Sequence, residues 1–174
     1  MDFLATVNQT LASTEASLRA ALHGLDREAL TVSPAPNEWP IVVVLCHLRD
    51  LEQDVFPQRV ELIRRNDGSR LPLFDESGTV EARGYAKDDP LRALEAFCAA
   101  RRKNLPLAAG LRADELESTG QHEEFGPLTL RALLADWAGS DLVHTAQIQR
   151  IRAWALYPHL GPFQTYFRKF MRLG

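Results

Sequence analysis

The stretch from Pro127 to Tyr157 holds the longest uninterrupted helical pattern in the chain, and it constrains the fold more than any other feature. At 100° per residue, with His144 placed at zero, Leu130, Leu133, Trp137, Ile148, Ile151 and Ala155 fall within about 40° of it. An apolar stripe of that length must be buried against other elements. Its centre, however, is an imidazole, and Ser140, Asp141 and Gln147 lie within about 60° of the same line. Polar groups buried without partners cost about 1–3 kcal/mol each, so this cluster points to a bonded network or to a site.

Three more helical patterns precede it. Residues 2–23 repeat Leu4, Val7, Leu11, Thr14, Leu18 and Leu22, with Asp2 as an acidic start and Gly24 as a stop. Pro40 suits the first turn of a second helix over 40–65, which ends before Asn66-Asp67-Gly68. Pro57 lies inside that span and should kink or divide it. Asp88-Asp89-Pro90 starts a third helix over 88–104, with Leu91, Leu94, Phe97 and Cys98 inward and Pro106 as its end or bend. The fourth helix, 129–156, is capped by Thr129.

The connections carry weaker signals. Residues 24–39 contain a short helical run and then the breakers Ser33-Pro34-Ala35-Pro36. Residues 66–87 read as a long loop, 111–117 as a short helix and 118–127 as a turn or small hairpin. A tail over 158–174 holds Phe163, Tyr166, Phe167 and Phe170, which would cover the bundle or meet a second copy in a homodimer. Together these predict one domain over 1–174: an all-α four-helix bundle, with connections of about 15–25 residues that are long enough for crossovers.

Composition closes several functional classes. A net charge of −3, with Lys and Arg scattered, gives no expectation of a nucleic-acid partner. No apolar run approaches the roughly 20 residues of a membrane span, and the first residues lack a secretory leader pattern. Cys46 and Cys98 fall in separate predicted helices without C-x-x-C spacing, which suits two reduced thiols in a cytoplasmic protein. No phosphate-binding loop, nucleophile elbow or dinucleotide fingerprint occurs.

On the second helix, His47 shares a flank with Asp50, Asp54 and Gln58, beside the stripe Val44, Leu48, Leu51, Val55 and Leu62. Two helices thus each bring a histidine with carboxylates or amides toward the core, which is how bundles assemble metal centres. A divalent ion there would activate a bound water or thiol. The competing reading is a pair of hydrogen-bonded core histidines, with Asp50 and Asp54 merely solvated. His23 compensates a helix C-terminus, while His122 and His159 fall in predicted surface loops.

Three segments carry a resemblance. Asn37-Glu38-Trp39 followed by Val44-Leu45-Cys46-His47-Leu48-Arg49-Asp50-Leu51-Glu52 is the first. His122-x-Glu124-x-Gly126-Pro127-Leu128-Thr129-Leu130-x-x-Leu133-Leu134 is the second, and Asp141-Leu142-Val143-His144-Thr145-Ala146-Gln147-Ile148 the third. In this order they resemble the DinB/YfiT-like superfamily of damage-inducible proteins, which is distinct from the DNA polymerase of similar name. The resemblance implies a bundle of crossed connectivity and a divalent-metal site of three histidines. His47 matches the first of these and His144 the last, whereas Ser140 stands where the remaining one is expected.

The resemblance also implies chemistry. It suggests a metal-dependent hydrolase or a thiol S-transferase using a low-molecular-weight thiol, with zinc or nickel held by His47 and His144. Asp50 or Asp141 would orient an imidazole or act as base, and the 66–87 loop would shape the pocket for a small-molecule substrate. The alternative is a non-catalytic, stress-associated module that binds a small ligand in a degenerate metal site marked by Ser140.

Overall fold

The computed structural model describes residues 2–168. Helix α1 spans Phe3–Leu22, and Asp2 caps it by accepting from the backbone N–H groups of Leu4 and Ala5. A short α2, Arg27–Thr31, is capped by Asp26. The second long helix is divided. α3 covers Ile41–Asp50, a π-helical turn covers Leu51–Val55, and α4 covers Phe56–Arg64. Pro57 explains the break, because it has no N–H for the carbonyl of Gln53 and its ring crowds that carbonyl. The ladder opens by one residue, and Phe56 N–H reaches back to the carbonyl of Leu51.

Residues 66–87 are not the unstructured loop that their composition suggests. They form strand β1 (Arg70–Leu71), helix α5 (Glu76–Ala82) and a 3-10 turn at Tyr85–Lys87. α6 runs over Pro90–Ala109, past Pro106 rather than stopping at it, because a proline near a helix end removes only one late hydrogen bond. Leu91, expected inward, is 58% exposed; the buried face is Ala93, Leu94, Phe97, Cys98, Arg101 and Asn104. The 111–117 segment contributes a 3-10 turn at Ala113–Glu115. The hairpin is β2 (Thr119–His122) with β3 (Gly126–Thr129), and β1 joins β2 in parallel to give a small three-stranded sheet ordered β1-β2-β3. α7 spans Leu130–Leu156, capped by Thr129 Oγ1 accepting from Ala132 N–H. A 3-10 stretch at Tyr157–Phe163 and α8 (Gln164–Phe167) complete the described chain.

The four long helices pack as a bundle of crossed order. α1 lies against α6 and α7, and α3 lies against the same two. The first and second helices therefore sit on a diagonal, which the long connections permit. One apolar cluster gathers Leu18, Leu45, Leu48, Phe97 and Ile148, and the other gathers Leu11, Val60, Ile63, Leu130, Leu133 and Trp137. Each such side chain fully buried contributes about 1.5–3 kcal/mol.

A polar knot joins the two clusters. The Arg101 guanidinium lies 4.9 Å from the Phe97 ring of one and 5.9 Å from the Trp137 ring of the other. It donates to Asp141 at 2.5 and 2.9 Å, to Glu52 at 2.8 Å and to the Leu11 carbonyl at 2.9 Å. Thr14 donates to Asp141, while Trp137 Nε1 and Asn104 donate to Glu52. Burial works against the Arg101 charge, but the hydrogen bonds to Asp141 and Glu52 outweigh it and hold the pKa above the usual guanidinium value.

The tail follows no core-covering course among the described residues. Phe163, Tyr166 and Phe167 are exposed, and Phe170 lies outside the described residues. Ala155, at the end of the predicted stripe, is exposed as well, because α7 outruns the bundle there. Among the described residues no helix is long and apolar enough to cross a membrane.

Candidate functional site

α3 and α7 bring His47 and His144 side by side. The ring centroids are 4.7 Å apart, in an edge-to-face arrangement with an interplanar angle of 67°. Trp39, at the entrance to α3, covers both. Its indole lies 5.3 Å from His47 and stacks at 12° on His144, 6.4 Å away. Phe74 closes the His47 side at 6.0 Å. The two imidazoles are thus enclosed by aromatic surface, which lowers the local dielectric and strengthens any charge interaction made there.

Each imidazole is prepared differently. His144 Nδ1 lies 2.9 Å from Oε1 of Gln147, one helical turn further on. With the proton on Nδ1 donated to that oxygen, Nε2 keeps its lone pair for an ion or a proton. His47 is only 4% exposed. Burial, reinforced by the neighbouring His144 and opposed by Asp50, pushes its pKa down to about 3. It is therefore neutral at physiological pH, the form a metal ligand or a base requires.

The two carboxylates expected to serve these rings are occupied elsewhere. Asp50 is buried and accepts from Arg49 Nε at 2.7 Å, from Arg83 Nη1 at 2.5 Å and from the Tyr85 hydroxyl. Three donors hold it in place, two of them cationic, and its charge raises the His47 pKa only in part. Asp141 belongs to the Arg101 knot, bonded also to Thr14. Asp54 is a half-exposed partner of Arg83. His122, expected at the surface, is buried, with Nδ1 accepting from the backbone N–H groups of Glu124 and Phe125 in the hairpin turn.

The cysteines are poor nucleophiles. Burial, ahead of smaller electrostatic effects, pushes the Cys46 thiol up to about 12 and the Cys98 thiol up to about 11. Cys46 Sγ donates to Asp88.

The donor set fits part of a divalent-metal shell. Two imidazoles from separate helices lie close enough to serve as two ligands, while Ser140, half-buried one turn before His144, offers only a hydroxyl. Among the described residues, no group of three or more His, Cys, Asp or Glu side chains comes together to hold an ion. Sequence reasoning located both imidazoles and Gln147. It missed Phe74 and the hold of Arg83 and Tyr85 on Asp50, which come from a segment without periodicity, and it did not assign Arg49 of α3 to the same carboxylate.

Comparison with known proteins follows the same lines. No curated protein sequence matches the chain. A solved structure, YfiT from Bacillus subtilis, is similar with a TM-score of 0.73 at 17% identity, covering 87% of this chain and 88% of that one. That protein is described as a probable metal-dependent hydrolase with an unusual four-helix bundle topology. At this identity it is the fold that the two share. A sequence model of the DinB superfamily matches residues 10–148, which span α1 through most of α7 and include both imidazoles, and the chain belongs to that superfamily.

Proposed function

We propose that this chain is a metal-dependent enzyme of the hydrolase or thiol-transferase kind, acting on a small molecule at the His47–His144 pair. The observation that carries this reading is the 4.7 Å approach of two imidazoles from different helices inside an aromatic enclosure. His47 and His144 would hold a zinc or nickel ion. When bound, such an ion supplies Lewis acidity, which lowers the pKa of a water or a low-molecular-weight thiol at the positions the protein leaves open.

The protein's own residues do the rest. Gln147 fixes the His144 tautomer, and the buried environment of His47 keeps its ring neutral. Trp39 and Phe74 exclude bulk water from the reacting atoms. Neither cysteine is required, since the nucleophile would arrive from solution.

Metal uptake tests this reading. The purified protein under reducing conditions should bind about one equivalent of zinc or nickel, and the His47→Ala, His144→Ala double variant should bind none. No uptake by the unaltered protein rejects the proposal.

A second reading is favoured by Ser140, which supplies no imidazole at a turn where one would complete three ligands. Here the bundle is a non-catalytic module that binds a small ligand. Ser140→His separates the two: a gain of about tenfold or more in metal affinity, with no thiol-dependent or hydrolytic turnover before or after, supports the module. Turnover already present in the unaltered protein excludes it.

A further inference from the structure

We propose that the cavity next to the imidazole pair is a carboxylate-binding subsite anchored by Arg59. The cavity holds about 250 Å³ between α4, α5 and the segment that follows β1, and Phe74 is common to it and to the His47 environment. Arg59 lines it while being only 8% exposed. One guanidinium nitrogen donates to the Pro72 carbonyl at 2.8 Å. The Nε–H has no hydrogen-bond partner.

Buried guanidinium groups are normally matched by a carboxylate, because desolvating a charge without a partner is unfavourable. Among the described residues Arg59 has no such partner at ion-pair distance. Burial pulls its pKa down, and the more distant Asp136 only partly offsets this. The other cation of the wall, Arg83, is already taken up by Asp50 and Asp54. Arg59 is therefore the charge left for an incoming acceptor, and its planar N–H edge suits a carboxylate.

Gln58 and Thr79 add neutral polar groups to the lining, and its two carboxylates limit the charge of that acceptor. Asp54 faces the cavity but is paired with Arg83, and Asp75 is turned to the backbone N–H of Gly78. Two negative groups so close disfavour a dianion such as a phosphate, which leaves a small monocarboxylate. This inference rests on the proposed reaction centre in one respect: the carboxylate is read as the handle that positions a substrate beside His47 and His144.

The test uses the full chain without added metal, labelled with ¹⁵N so that arginine Nε–H signals are observed, with butyrate and uncharged butyramide as probes. Butyrate should move the Arg59 signal, identified by its loss in Arg59→Lys, with saturation on the order of 1 mM. Butyramide should leave it in place. Thr79→Phe, which fills the cavity while keeping Arg59, should weaken butyrate binding tenfold or more. Equal shifts with butyramide, no shift with butyrate, or unchanged binding in Thr79→Phe would each overturn the subsite. Because metal plays no part in this titration, failure of the metal reading and failure of the subsite are read separately.

Discussion

Acidification should expose the energetic weight of His47. Its folded pKa is about 3, against an ordinary value of 6.5. When pH falls below 6.5, the unfolded chain takes up a proton that the folded chain refuses, so stability is lost as pH drops from 6.5 toward 3. At 1.36 kcal/mol per unit, the loss between pH 7.5 and 5.0 is about 2 kcal/mol, and the full shift corresponds to about 5 kcal/mol. For a chain of this length that first interval amounts to about 4–8 °C in melting temperature. Urea unfolding of the wild type and His47→Gln, both with a chelator present, isolates the effect from the carboxylates common to the two. The stability difference between pH 7.5 and 5.0 should be about 2 kcal/mol smaller in the variant. Equal slopes in the two chains would refute the argument that burial keeps this ring neutral.

Two further substitutions probe the scaffold. Arg101→Leu leaves Glu52 and Asp141 buried without their cation and should cost about 3–5 kcal/mol at neutral pH in denaturant unfolding. A cost under about 1 kcal/mol would show that the knot is dispensable. Gly120→Val places a Cβ 2.8 Å from Leu71 Cδ2 and 3.0 Å from Ile63 Cγ1, which should cost about 1–3 kcal/mol and loosen β1. Unchanged amide-exchange protection of Leu71 would contradict that close approach.

The bundle and its two imidazoles were legible in the sequence because α1, α3, α6 and α7 carry 3.6-residue periodicity, with side-chain caps at the starts of α1, α6 and α7 and Pro40 ahead of α3. Asp50, Asp54 and Gln58 were grouped with His47 on one helical wheel, which for Gln58 runs through Pro57. The π-turn at Leu51–Val55 shifts that wheel by about 100° beyond it, so Gln58 lines the Arg59 cavity instead. Glu52, inside the same turn, points inward to Arg101, a partner 49 residues away that nothing local marks. The partners of Asp141 were equally hidden, since Thr14 and Arg101 lie 127 and 40 residues away and nothing local marks the pairing. α5 and β1 escaped because a seven-residue helix and a two-residue strand are held by tertiary contacts rather than by pattern.

That one loosened turn also makes the chain intolerant of insertion or deletion at a point where composition alone would look permissive. Removing a single residue from Leu51–Val55 would take out the extra residue of the widened turn, and every side chain of α4 would swing by about a hundred degrees around its axis. Val60 and Ile63 would leave the core, and Arg59 would leave its cavity, while the α3 imidazole stayed where it is. The spacing between His47 and Arg59 is thus a gauge cut into the backbone, fixed by residue count more tightly than by residue identity.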